Sequence, residues 1–182
     1  MSFPLRRLVP VCLPVLLLPL FGCGPGRNEF APVCPEARLV PSLADVTRYA
    51  GSGGGHDVTD MILQARVLKV DGKCQSSDDK ALLPTTVQIG IGILRGPAMR
   101  GREADVPVFI AVTEGDDVLD KRIFPVHVAF PPNVDSVTMS SPEITLALPV
   151  SKTKTGAAYR IIAGFQLTPD ELVANQHADP LR

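Results

Sequence analysis

Proline and glycine interrupt this chain at short intervals, and their spacing limits the length of any regular element. The 182 residues include 18 Pro and 15 Gly, and both residue types end helices and mark turns. Between the interruptions, apolar residues recur at every second position, which is typical of strands with one buried face. The chain is therefore predicted to be an all-β domain.

The alternation is clearest from Val106 to Val112, from Phe124 to Phe130 and from Ile144 to Leu148. Gly115 and Asp116 separate two of the alternating segments and predict a tight hairpin. The predicted strands are Ala37 to Pro41, Met61 to Val70, Thr86 to Leu94, Val106 to Thr113, Val118 to Phe130, Ser136 to Met139, Ile144 to Val150 and Tyr159 to Leu167.

This order predicts a meander folded into an antiparallel β-sandwich, immunoglobulin-like in broad architecture, with a closed barrel as the alternative. One helix is expected near the C-terminus. Thr168 can cap it, Pro169 suits the first helical position and Glu171 completes a capping box. The helix should run from Pro169 to about Asn175.

The N-terminal segment has the layout of a secretory signal peptide. Arg6 and Arg7 precede an uncharged apolar run from Leu8 to Phe21. That run is shorter than the roughly 20 residues that a membrane-spanning helix needs, and three prolines interrupt it. We therefore expect general secretion rather than a transmembrane anchor.

The sequence Leu20-Phe21-Gly22-Cys23 resembles the lipobox of bacterial lipoproteins. The resemblance implies that the Cys23 thiol receives diacylglycerol and that cleavage occurs before it. An ordinary signal peptide with a coincidental cysteine is the alternative. The protein is thus expected to be anchored in a membrane of the bacterial cell envelope by its N-terminal lipid and to face the periplasm or exterior. The motif leaves the choice of inner or outer membrane open.

These observations divide the chain into four parts. Residues 1–22 are the predicted lipoprotein signal peptide, and residues 23–35 are the acylated cysteine with a flexible tether rich in Pro and Gly. Residues 36–167 form the predicted sandwich, and residues 168–182 form the short helix and tail.

Cysteine usage predicts one disulfide. Cys12 lies in the discarded peptide and Cys23 carries lipid, so Cys34 and Cys74 are the remaining pair in an oxidising compartment. A metal site is the rival interpretation, but the two thiols have no CxxC or histidine partner at ligand spacing.

The part of the chain from about residue 34 to 175 resembles alphaproteobacterial envelope lipoproteins, a group for which no activity is known. The segments that carry the resemblance are Arg95-Gly96-Pro97, Leu119-Asp120-Lys121, Phe130-Pro131-Pro132-Asn133 and Gly164-Phe165-Gln166-Leu167-Thr168-Pro169. The resemblance implies no catalytic residue.

Two glycine-containing segments invite a catalytic or phosphate-binding interpretation. Ser52 lies between Gly51 and Gly53, as in a nucleophile elbow, but more glycine follows and no helix is available to hold the turn. Gly90 and Gly92 lie within a predicted strand and lack the Lys-Ser/Thr of a phosphate-binding loop. We expect structural roles for both segments.

The titratable side chains that stand out form no motif with a spaced partner. They are His56, Asp57 and Asp60 in one loop, Asp116, Asp117 and Asp120 around the hairpin, His127 on a strand and His177 in the tail. His127 lies between two valines and should face away from the core. No catalytic residue, cofactor or metal site is therefore predicted, and the protein is not expected to be an enzyme.

The charge balance and the predicted anchor favour a non-catalytic structural or protein-interaction module. With 18 basic and 19 acidic residues, the chain has no basic footprint for nucleic acid. Loops such as Gly51 to His56 and Gly96 to Arg102 could contact an envelope protein, and Arg95, Arg100 and Arg102 would give the second loop a positive cluster. The alternative is a periplasmic module that binds a small molecule or glycan.

Replacement of the predicted lipid acceptor tests the anchor. Cys23→Ser should block acylation and cleavage, because the hydroxyl does not replace the thiol as the lipid acceptor. The variant should incorporate no labelled fatty acid and should keep its leader, whose apolar run holds it in the detergent phase on detergent partitioning. A Cys23→Ser protein that is processed and partitions like the parent would contradict lipidation.

Overall fold

The computed structural model describes residues 32–51 and 57–177. The predicted signal peptide, Cys23, most of the tether, the Ser52 and His56 loop and the tail from residue 178 lie outside the described residues, as does the side chain of His177. Within the described part, no helix is long and apolar enough to cross a membrane.

The described residues form nine strands and one α-helix, with three single turns of 3₁₀ helix between them. The strands are β1 (Glu36–Leu39), β2 (Asp45–Tyr49), β3 (Met61–Cys74), β4 (Leu82–Arg95), β5 (Glu103–Glu114), β6 (Asp117–Ala129), β7 (Ser136–Ser140), β8 (Ile144–Pro149) and β9 (Tyr159–Phe165). Helix α1 spans Pro169–His177, two residues beyond the predicted end.

The strands form two sheets that pack face to face as a sandwich. The first sheet has the order β1-β9-β5-β6. In the second, β2, β3 and β4 are neighbours, and β7 and β8 follow one another along the far edge of β4. Both sheets end in edge strands, so the predicted sandwich is confirmed and the closed barrel is excluded.

The expected meander is wrong, because β9 lies between β1 and β5, and both β7 and β8 pair with β4. The β3–β4 and β5–β6 pairs are antiparallel neighbours in sequence, as a meander requires. However, β1 pairs in parallel with β9, which joins the two ends of the domain. A parallel pair needs a long connection, and here the other strands of the domain supply it.

Alternation places the core between the sheets, as predicted. Val106, Val108, Ile110 and Val112 of β5 are at most 3% exposed, and β4 contributes four further buried β-branched residues, Val87, Ile89, Ile91 and Ile93. All eight belong to one hydrophobic cluster. Branched side chains pack well on a pleated surface, so this cluster holds the two sheets together.

Strand β2 was not predicted from the sequence. Val46 is its only buried residue, so the segment has too little apolar alternation to indicate a strand. Pairing with β3 fixes it instead. Pairing between neighbours also lengthens two predicted strands. β3 continues past Val70 to Cys74 and β4 begins at Leu82 instead of Thr86, because the two strands pair there as a long hairpin.

The predicted capping box begins helix α1. The Thr168 hydroxyl accepts a hydrogen bond from the Glu171 backbone N–H at 3.2 Å, and the Glu171 carboxylate accepts one from the Thr168 N–H at 2.7 Å. Glu171 also pairs with Arg48 of β2 at 3.1 Å. The Asn175 amide donates to the Ser42 and Asp45 carbonyls, which docks the helix beside β2.

Cys34 and Cys74 form the predicted disulfide, with 5.6 Å between their Cα atoms. The bond ties the segment just before β1 to the last residue of β3. It therefore links the strand that begins the first sheet to a central strand of the second sheet.

Loss of this disulfide should destabilise the domain. In the Cys34→Ser/Cys74→Ser double variant, the unfolded chain regains the freedom that the cross-link removes, and we expect the free energy of unfolding to fall by about 2–4 kcal/mol. Urea denaturation of the double variant and the parent measures the change. Equal stability, or two reactive thiols in the denatured, unreduced exported parent, would contradict the prediction.

Candidate functional site

One side of the sandwich is open between β6 and β8, because each of these strands is an edge of its sheet. A cleft of about 370 Å³ lies between them. Its inner part is lined by the buried side chains of Val112, Leu146, Leu148 and Tyr159. Charged side chains from β6 and from the segment after β8 surround this apolar interior.

The charge of Lys154 at this cleft is paired within the chain. Its Nζ lies 2.6 Å from a Glu114 carboxylate oxygen and 4.8 Å from the centre of the Tyr159 ring. The hydrogen bond with Glu114, followed by the contact with Tyr159, raises the pKa of Lys154 above its ordinary value. Tyr159 in turn donates its hydroxyl to the Pro149 carbonyl.

Arg122 spans the mouth of the cleft. Its Nε lies 3.0 Å from the Asp120 carboxylate on the same strand, and its Nη1 donates to the Thr145 carbonyl of β8 at 3.3 Å. Each cation at the mouth is thus balanced by a neighbouring carboxylate. The cleft presents an apolar interior with a locally neutral rim.

Three exposed apolar side chains lie along β6, and we call them the β6 surface. Val118 is 62% exposed, Leu119 is 52% exposed and Ile123 is 55% exposed. Leu119 lines the β6–β8 cleft. Val118 borders a second cleft of about 530 Å³ on the outer face of the first sheet, together with Ile162. The β6 surface therefore separates two clefts.

The sequence signal for this surface is a set of apolar residues outside the buried alternating series of β6. The predicted strand places Phe124 and Val126 on the core face, and Val126 is 2% exposed. Val118, Leu119 and Ile123 are apolar residues of the same strand that do not belong to this buried series. Only the strand order shows that these residues lie on an edge strand.

His127 lies where the alternation placed it, on the face opposite the buried valines. Its Nδ1 is 3.0 Å from a carboxylate oxygen of Asp105, and both side chains are more than 60% exposed. Such a pair is screened by solvent. The contact joins β6 to β5 on the outer face of the sheet.

Two of the three arginines in the expected positive cluster at Gly96 to Arg102 form hydrogen bonds and ion pairs within the domain. Arg95 donates to the Met99 and Gly101 carbonyls, and Arg102 donates to the carbonyls of Phe130, Pro131 and Val134. Both guanidinium groups also lie within 3.6 Å of Asp135. Arg100 is exposed, so one of the three arginines remains on the loop surface.

Of the acidic candidates, Asp57 and Asp120 have local side-chain partners, which are Thr59 and Arg122. Asp57 accepts hydrogen bonds from the Thr59 N–H and hydroxyl at 2.9 and 3.0 Å, and these bonds lower the pKa of Asp57. Asp116 and Asp117 lie at the β5–β6 hairpin. Within the described residues, no group of three or more His, Cys, Asp or Glu side chains is placed to hold a metal ion.

The two glycines of the Gly90-Ile91-Gly92 segment lie inside β4 on the outer face of the second sheet. A Cβ at Gly90 would lie 2.7 Å from Cγ of Lys69, and one at Gly92 would lie 3.4 Å from Leu68. Side chains of β3 therefore occupy the space above both residues, and packing explains the glycines.

Comparisons of the chain with protein-family models, with curated proteins and with solved structures find no match. The β6 surface and its two clefts therefore provide the structural basis for a functional proposal.

Removal of the Glu114 carboxylate tests the charge pairing at the cleft. In Glu114→Gln, Lys154 loses the ionic hydrogen bond that favours its charged form, so its pKa should fall toward its ordinary value. A pH titration of the Lys154 Cε signal by NMR measures the shift. Asp116→Asn, in the adjacent turn, is the matched control and should leave that pKa unchanged. An unaltered Lys154 pKa in Glu114→Gln would show that the pair does not exist in solution.

Proposed function

We propose that this protein is a lipid-anchored lipoprotein of the bacterial cell envelope whose sandwich domain binds a protein partner through the β6 surface and performs no catalysis. The observation that carries the proposal is the exposure of Val118, Leu119 and Ile123 on one edge strand between two clefts. The three side chains lie within six residues of one strand, and exposed apolar patches are typical of protein contact sites.

The anchor is proposed from the lipobox-like segment that ends at Cys23, together with the disulfide. A disulfide at Cys34 suits the oxidising compartment to which a secretory signal leads. It would also fix the domain end of the tether. The span from Cys23 to Cys34 could then extend at most about 40 Å, which keeps the domain near the membrane.

The charges near the β6 surface favour a protein partner over a highly charged ligand. Lys154 and Arg122 are both paired with carboxylates of the same chain. A partner would therefore meet an apolar strip with balanced charges on one flank, as at the core of a protein interface. Binding through this strip would derive mainly from burial of apolar area.

A second candidate is a module that binds a small amphipathic molecule in the β6–β8 cleft. The cleft volume of about 370 Å³ and its buried apolar lining favour it, since such pockets are typical ligand sites. A glycan is less well matched, because the sequence has no Trp to provide a stacking platform.

Photocrosslinking in the native envelope tests the protein-partner proposal. A photoreactive residue in place of Asp117, which is exposed beside Val118, should give a specific adduct, and Val118→Ser/Leu119→Ser/Ile123→Ser should reduce its yield by about tenfold or more, equivalent to a loss of about 1.4 kcal/mol in binding. The triple change removes apolar contact area from an exposed strand and should leave the fold intact.

Leu68→Ser is the matched control, because Leu68 is 54% exposed on the other sheet. It should leave the adduct unchanged. An adduct that survives the triple substitution would contradict the proposal. If the melting temperature of that same variant also rose with an added metabolite or glycan, the small-molecule alternative would be favoured.

A further inference from the structure

The backbone groups of Lys121 and Ile123 point away from β5, toward the open side of the sandwich. Pro107 and Pro125 lie opposite each other in the β5–β6 register, and neither has an N–H, so this pair exchanges no hydrogen bonds. Bonded and non-bonded pairs alternate along an antiparallel ladder. Ile123 and Lys121 therefore also belong to non-bonded pairs. On the other side of β5, the Pro107 carbonyl accepts from the Gln166 N–H at 2.9 Å, as this alternation requires.

We propose that β6 accepts an extended segment of a partner protein as an added antiparallel strand, paired with the backbone of Lys121 and Ile123. The inference rests on the proposed protein-binding function and adds the mode of binding and the chemistry of the partner. Outward N–H and C=O groups on an edge strand are the template for such addition. The site is short, because Pro125 supplies no donor to continue the ladder.

The side chains around these backbone groups define the partner sequence. Lys121 and Ile123 lie on the outer face, where Lys121 Nζ is 4.6 Å from the centre of the Phe109 ring. Among the described residues, Lys121 has no carboxylate within ion-pair distance. A partner residue opposite Lys121 should therefore be acidic, and one opposite Ile123 should be aliphatic, because cross-strand pairs of these kinds stabilise sheets.

The partner residue between these two would lie opposite Arg122 and face inward. Arg122 is on the inner side of β6 and lines the β6–β8 cleft, so the facing side chain of an added strand would be directed at the same cleft. The buried apolar lining, which includes Leu148, favours an aliphatic side chain there. Reading antiparallel to β6, the partner motif is aliphatic, aliphatic, acidic.

The charges on β6 disfavour a second copy of this chain as the partner. An antiparallel pair of β6 strands centred on Lys121 would place that cation opposite its own copy, and one centred on Arg122 would do the same for the guanidinium. Like charges directly opposite each other destabilise a sheet. A pair centred on Ile123 would place Pro125 opposite Lys121 and lose a backbone donor. An acidic strand from another protein meets none of these penalties.

An NMR titration with a designed peptide tests the proposal. The probe is the acetylated and amidated peptide Thr-Ile-Leu-Glu-Thr-Val, whose Ile, Leu and Glu would lie opposite Ile123, Arg122 and Lys121. The amide signals of Lys121 and Ile123 should shift, and their hydrogen exchange should slow by about tenfold or more at saturation. Absence of binding at millimolar peptide, or binding without changes at these two amides, would overturn the proposal.

Substitutions then separate backbone pairing from simple apolar contact. Ile123→Pro removes one outward N–H without removing a β5–β6 hydrogen bond, and it should weaken peptide binding about tenfold, whereas Ile123→Val should not. A peptide N-methylated at its Glu removes the neighbouring bond of the same ladder, from the Glu N–H to the Lys121 carbonyl, with the protein unchanged, so the proposal stays testable if the proline variant unfolds. Equal binding in both tests would overturn strand addition.

A charge exchange tests the partner chemistry. Lys121→Glu should lose affinity for the Glu peptide and gain affinity for the same peptide with Lys at that position, because opposite charges would again face each other. Unchanged preference in this variant would overturn the acidic assignment.

Failure of this inference differs from failure of the proposed function. If the peptide fails to bind but the triple serine variant still loses its crosslinked partner, strand addition is wrong and the β6 surface remains a contact site. If the triple variant retains the partner, the proposed function itself is wrong.

Discussion

The packing of β-branched side chains between the two sheets is the interaction on which the rest of the structure depends. The buried faces of β4 and β5 contribute eight valines and isoleucines to one cluster, and burial of apolar area at about 25 cal/mol per Å² is the main favourable contribution to folding. The sheets must face each other to achieve this burial. That requirement leaves their edges, rather than their inner faces, available for other contacts.

Much of the polar chemistry of the domain satisfies backbone groups at places where the sheets break. Ser141, only 2% exposed, lies between β7 and β8, where its hydroxyl accepts from the Ile89 N–H and its own N–H donates to the Ile89 carbonyl. Arg95 and Arg102 perform the same task for loop carbonyls. A buried unpaired backbone group is costly, so these side chains act first as structural partners. Their commitment explains why polar residues that stand out in the sequence do not assemble into a reactive cluster among the described residues.

The edge strands of the sandwich differ in how accessible they are to pairing with another chain. Helix α1 docks beside β2 through Asn175 and Glu171, and β1 is only four residues long. Both features limit pairing with other chains. Strand β6 spans 13 residues and carries three exposed apolar side chains. Pro125 and the cations Lys121 and Arg122 limit its pairing with other strands. This combination restricts the edge to a short segment and a particular kind of partner.

The sequence by itself determined the all-β class, most strand positions, the capped helix and the pairing of Cys34 with Cys74. Each of these follows from local signals, such as alternation, turn residues, a capping box or the elimination of other cysteines. The sequence could not place β2, because a strand with one buried residue is stabilised by its neighbour and not by its own pattern. It also could not show that β1 pairs with β9, or that β6 is an edge. Strand order depends on how all the apolar faces are buried together, so it cannot be read from one segment. This order places β6 at an edge of its sheet, where Val118, Leu119 and Ile123 are exposed. The same physical reason applies to Arg95 and Arg102, whose charges look available in the sequence and are engaged once Phe130 and Asp135 fold beside them.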